Sequence, residues 1–181
     1  MSCDISAGRI EPCKDVVGGI KNLYFVNYGQ IDSYTFDGVD TDVIDGFNST
    51  GSIVGYKYEL KGGNNLEQTI TSSRENGTTF VEQTLTAVLK KQDVGTHKQV
   101  KLLSFGRPRV VVEDYNGNFF LMGLEHGAEV TTVAITTGQN MSDLSGYSIT
   151  MTAQEKIPAN FIDATETTIA ASPFFDSVVT S

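Results

Sequence analysis

Apolar and polar residues alternate along most of this chain, and the spacing changes to a helical one only once. From Thr78 to Lys90 (TTFVEQTLTAVLK), Phe80, Glu82, Thr84, Thr86 and Val88 fall on one face and Val81, Gln83, Leu85, Ala87 and Leu89 on the other. The second face is the more apolar and predicts the core side. At roughly 3.3 Å per residue this run spans about 43 Å, long for a globular strand and suited to a bent strand or a sheet that reaches beyond one compact domain. A short helix is predicted over about Asp93 to Phe105. Asp93 or Thr96 can cap it, Val100, Leu103 and Val94 can form its apolar stripe, and Gly106 and Pro108 stop it. A hairpin follows, Arg109 to Asp114 and Asn118 to Leu124, with Asn116-Gly117 predicting a type I′ turn.

The same period-2 reading predicts further strands at Lys21–Tyr28, Ile31–Phe36, Ile53–Lys61, Leu66–Ser72, Ala128–Thr136 and Tyr147–Gln154. Gly29-Gln30 predicts a tight hairpin between the first two, and Asn76-Gly77 another turn before Thr78. Residues 1–20 break periodicity at Gly8, Pro12, Gly18 and Gly19 and read as an N-terminal arm. Residues 163–181 read as a C-terminal arm, in a stretch from Ile157 that carries exposed apolar residues such as Phe161, Phe174 and Phe175. Asp37 to Gly46 carries four aspartates, but Ile44 stands where a calcium loop would need its third ligand, so this reads as an acidic surface loop running on to Gly51. The fold class expected is mainly β: one antiparallel sandwich or barrel over residues 21–162, with one short flanking helix and two arms.

Composition narrows the function. With 181 residues, 39% hydrophobic and 19% charged, the chain can bury a core without metal or disulfide staples. A net charge of −9 lacks the basic face that gripping nucleic acid requires, and repels anionic lipid. Cys3 and Cys13 have no CxxC spacing, and His97 and His126 lie far along the chain without ligand spacing, so no metal or cofactor is expected. The N-terminus predicts no signal peptide, and no run approaches the length of a membrane span.

Catalytic sets are hard to find. Glu125 and His126 are adjacent, which on a strand would point them to opposite faces. There is no GxSxG, P-loop or dinucleotide fingerprint. Arg107-Pro108-Arg109 is a small basic island, read either as local pairing with Glu113 or Asp114 or as a salt bridge to another subunit. No enzyme activity is expected.

The order long strand, short helix, hairpin, in an antiparallel chain with arms, resembles the tail tube proteins of tailed bacteriophages. The phrases ITSSRENGTTFVEQTLTAVLKK (Ile70–Lys91), HKQVKLLSFGRPRVVVEDYNGNFFLMGLEHG (His97–Gly127) and SGYSITMTAQEKIPANF (Ser145–Phe161) look like phage virion structural proteins, the similarity covering residues 53–162. The resemblance implies a β-sandwich or barrel whose inner strands join across copies, usually six per ring, around a lumen in stacked rings. It implies no catalytic residues. The implied partners are further copies of the chain and other tail or neck proteins, with DNA passing through unbound, no membrane contact, and a place in the virion after assembly in the host cytoplasm. The lumen-facing candidates are Glu82, Thr84 and Thr86 on Thr78–Lys90, with Glu59 beside them. The contact candidates between copies are Arg107, Arg109, Phe161, Phe174 and Phe175, and the arms and the Asp37–Gly51 loop are candidates for contacts between rings. Two other readings stand beside this one: a neck or tail-end protein on the same fold, and a carbohydrate-binding module using Tyr24, Tyr28, Tyr34, Tyr56 and Tyr58 as sugar-stacking rings.

Overall fold

A computed structural model describes Ile5 and residues 7–180. Its twelve strands form two sheets. The eight-stranded sheet runs β12 (Ser177–Val179), β4 (Val54–Glu59), β1 (Ile20–Val26), β7 (Arg109–Asp114), β8 (Phe119–Met122), β11 (Asn160–Ile162), β3 (Val43–Asn48), β2 (Ser33–Phe36). The four-stranded sheet runs β5 (Asn65–Ser73), β6 (Thr78–Lys90), β10 (Gly146–Glu155), β9 (Glu129–Thr136). The expected class, mainly β with a single short α-helix, is the one adopted among the described residues.

The large sheet is covered on both faces, and its central strands read accordingly as unbroken apolar runs. On β1, Leu23 and Phe25 face the small sheet, together with Val110 and Val112 of β7 and Leu85, Ala87, Ile149 and Met151 of the small sheet. Tyr24, Val26 and Val111 face the other way, into a second cluster with Ile44, Phe47, Ile169, Phe174 and Phe175. The chain past β11 fills that second cluster. Pro173 accepts a hydrogen bond from the Phe47 amide on β3 (2.9 Å), and four residues later β12 pairs in parallel with β4 near the opposite end of the sheet. The C-terminal segment therefore bridges the two ends of a curled sheet.

This overturns the reading of Phe174 and Phe175 as exposed residues of a free arm. They are 3% and 0% exposed. Their stretch lacks periodicity because it crosses the sheet as turns rather than as a strand or helix, and it is anchored by Lys21 and Lys57 on Glu166 (2.6 and 2.9 Å) and by Asp176 on the Ile53 amide (2.7 Å). Residues 7–18 are all exposed, Ile10, Val16 and Val17 included, and Val17 exchanges two hydrogen bonds with the Asn116 side chain (2.9 and 2.8 Å). Cys13 is exposed, and Cys3 lies outside the described residues.

Three local readings are also corrected. The hairpin expected at Gly29-Gln30 does not form: Tyr28–Gln30 is a single 3-10 turn, and β1 pairs with β4 and β7 instead. Val43–Asn48, read as loop, is a strand paired with β2; its buried Ile44 and Phe47 are the apolar positions that the flanking aspartates concealed. At Asn116-Gly117 only the glycine has positive φ (84°). Gly117 donates to Asp114 O, while the Asp114 carboxylate accepts the amides of Asn116 and Asn118, so the loop is a type I turn closed by a left-handed glycine. The helix, α1 (Val94–Leu103), starts as expected, with Asp93 accepting from the amide and hydroxyl of Thr96 (2.8 and 2.6 Å). It docks through Val100 and Leu103, while Val94 is exposed.

Candidate assembly surface

The small sheet has one face in the core and one in solvent. Strand pairing lays the outer face out in rows across β5, β6, β10 and β9. One row is Glu67, Thr84, Thr152 and Glu129; the next is Asn65, Thr86, Thr150 and Thr132; a third begins Thr69, Glu82 and Gln154. This is a threonine-rich, hydrated surface. Its charges are Glu67, Glu82 and Glu129, against Lys90 at the end of β6. Sequence alternation placed Glu82, Thr84 and Thr86 together on this face, and the structure does the same. Glu59 is not with them. It sits on β4, hydrogen-bonded to β1 in the other sheet, and approaches β6 only across a cleft that Leu89 and Lys90 also line.

The edges of the two sheets differ. The outermost strands of the large sheet, β12 and β2, have three and four residues. Those of the small sheet, β5 and β9, have nine and eight. Long unpaired edges expose rows of amide and carbonyl groups and are templates for pairing with another chain. The β9 edge carries one irregularity, at Thr131: the register with β10 shifts between Thr150 and Met151, and the Thr131 hydroxyl donates to Thr150 O (3.1 Å). The β5–β6 hairpin also overhangs the core. Ile70 lies on the inward-pointing face yet is 62% exposed, and every residue from Arg74 to Phe80 is exposed.

Of the basic pair, Arg107 is exposed, with its guanidinium 4.1 Å from the centre of the Tyr28 ring. Arg109 is only 7% exposed and is withdrawn from the contact candidates. It donates to the backbone carbonyls of Leu124 (3.1 Å), Tyr28 (2.8 Å) and Ile31 (2.8 Å), tying the β1–β2 connection to the end of β8. Neither Glu113 nor Asp114 is its partner; Glu113 instead accepts from Lys21, Asn22 and Tyr24. Burial raises the Tyr24 hydroxyl above its ordinary value, with the Glu113 charge adding to the effect. Of the three phenylalanines proposed as contacts, Phe161 alone is exposed, at 48%, packed at a tilt on Phe120.

The five tyrosines are divided: Tyr28, Tyr56 and Tyr58 line one cleft with Arg107, Tyr56 being 37% exposed, whereas Tyr24 and Tyr34 lie elsewhere. Tyr24 is buried, Tyr34 packs edge-on against Phe47, Tyr58 packs edge-on against Phe25, and Tyr28 lies under Arg107 and Arg109. A group that sequence spacing did not single out is Glu125, His126 and Glu155, whose ligand atoms lie within 4.8 Å of one another. Adjacent residues on a strand would diverge, but Glu125 and His126 stand in a bend between β8 and β9, and Glu155 reaches them from the end of β10. No protein-family model matches the chain, and neither the curated proteins nor the solved structures yield a match.

Proposed function

We propose that this chain is a self-assembling structural subunit of a phage tail tube, which stacks as rings around a DNA-conducting lumen in the virion. The observation that carries the reading is the small sheet: four strands, two long free edges and a polar outer face. Neighbouring strands in it are all antiparallel, so β5 and β9 run in opposite directions. When the β9 edge of one copy meets the β5 edge of the next under cyclic symmetry, the alternation continues without a break. Such a head-to-tail interface closes into a ring and removes both edges at once.

The dimensions are compatible with the resemblance to hexameric rings. Six four-stranded sheets, at a strand spacing of about 4.8 Å and a tilt of about 40°, close into a backbone barrel about 48 Å across. That leaves room for duplex DNA inside the side chains. The outer face, with Glu67, Glu82 and Glu129, would line this lumen and repel the phosphate backbone. The overhanging hairpin, the exposed residues 7–18 and Phe161 are the surfaces available for contacts between copies.

Negative-stain electron microscopy over a concentration series tests the reading. Rings or hollow tubes of uniform diameter are expected. A monodisperse monomer at every concentration, including after addition of pre-formed assemblies as seeds, would sink it.

A further inference from the structure

We propose that Glu125, His126 and Glu155 bind a divalent first-row transition-metal ion of the zinc class. Glu155 is the fixed point. Its side chain is 1% exposed, and its Oε1 accepts the backbone amides of Glu125 (3.0 Å) and His126 (2.8 Å). Those two bonds hold the carboxylate so that Oε2 faces His126 Nδ1 at 3.2 Å. With metal–ligand bonds of about 2.1 Å, that separation subtends about 100° at an ion placed between them, close to a tetrahedral or octahedral angle. The two amides supply the outer hydrogen bonds that a metal-binding carboxylate needs for orientation.

Glu125 provides the third ligand. Its side chain is half exposed and meets Lys156 at 3.4 Å, so it is free to turn inward from that surface ion pair. Its backbone is held by two bonds, the amide to Glu155 and the carbonyl accepting from the Tyr28 hydroxyl. A fourth position opens onto a cleft of about 620 Å³ lined by Phe80, Arg107, Gly127, Glu129 and Lys156, where water can complete the coordination. One imidazole nitrogen with two carboxylate oxygens selects zinc and its neighbours over magnesium and calcium, which take oxygen ligands alone. The site stands on the β8–β9 bend and the end of β10, and holds whether or not the chain forms tubes.

The test uses untagged full-length protein carrying Cys3→Ser and Cys13→Ser, which removes thiol ligands, titrated calorimetrically with zinc chloride and followed with cobalt(II) by visible absorption. One zinc per chain is expected, with a cobalt spectrum of mixed nitrogen and oxygen ligation. His126→Ala and Glu155→Gln should each weaken binding at least about tenfold. Glutamine at position 155 keeps an oxygen for both backbone amides, and the His126 ring is 61% exposed, so both variants are expected to fold, as circular dichroism would verify. His97→Ala should leave binding unchanged. No zinc binding by the parent protein, or equal affinity in the parent and folded His126→Ala, would overturn the assignment.

Discussion

Replacing Phe175 by alanine is expected to cost this fold about 4 kcal/mol, within the range for a fully buried phenylalanine ring. The ring has no solvent exposure, sits 5.8 Å from the Tyr24 ring and 5.9 Å from the Phe47 ring, and packs on Gly55 so closely that a Cβ there would lie 2.8 Å from it. It thereby joins β1, β3 and β4, which lie at different places around the curled sheet, and its loss leaves a cavity that those strands cannot close together. Urea unfolding followed by far-ultraviolet circular dichroism would measure the loss, and the thermal midpoint should fall by about 8–16 °C for a domain of this size. Phe161→Ala, at a half-exposed ring on β11, is the control and should cost about 1 kcal/mol. The Gly55→Ala change sharpens the test. It should destabilise the parent through overpacking by about 1–3 kcal/mol and do so much less in the Phe175→Ala background, where the methyl group enters the vacated space. If Phe175→Ala cost no more than Phe161→Ala, the C-terminal segment would not be closing the sheet.

Three further outcomes are expected. Arg109→Met should destabilise by about 3 kcal/mol without rescue by Arg109→Lys, because three backbone carbonyls lose a forked donor that lysine cannot reproduce; urea titration of both variants checks it. The Glu166 carboxyl is held down at about 2, against an ordinary 4.5, first by its hydrogen bond from Lys21 and then by that from Lys57. A depressed carboxyl stabilises the fold fully above pH 4.5 and loses that contribution as pH falls toward 2, so the stability gap between the parent and Glu166→Gln, under about 1 kcal/mol because the group is exposed, should vanish over that interval. Asp93→Ala should accelerate amide hydrogen exchange in the first turn of α1, at Thr96 above all, while leaving β6 protected.

Alternation made the small sheet legible from sequence. Val81, Gln83, Leu85 and Ala87 are buried where period 2 puts them, because this sheet has one wet face and one dry one. The large sheet was less legible for the opposite reason. Val110, Val111 and Val112 are buried on both sides, so the run gives strand without saying what covers it. The burial of Phe174 and Phe175 was hidden because non-periodic chain that caps a core looks, residue by residue, like a loose tail. The Glu125–His126–Glu155 group was hidden because its geometry comes from a bend and from a residue roughly thirty positions away. Arg109 looked like a surface charge, since nothing local signals that its partners are three carbonyls of two other segments.

The claim that copies join edge to edge is tested most directly by cysteine cross-linking in the Cys3→Ser, Cys13→Ser background. Thr132→Cys on β9 is paired in turn with Asn65→Cys, Glu67→Cys, Thr69→Cys and Thr71→Cys along β5, all on the outer face. Directly opposed antiparallel positions bring Cα atoms to about 4.5–5.5 Å, within disulfide reach. Oxidation is predicted to give a ladder of covalent oligomers ending at the closed ring for one register and to leave the others largely monomeric. Monomers at all four registers, under conditions where electron microscopy shows assembled particles, would contradict the joining of β9 to β5.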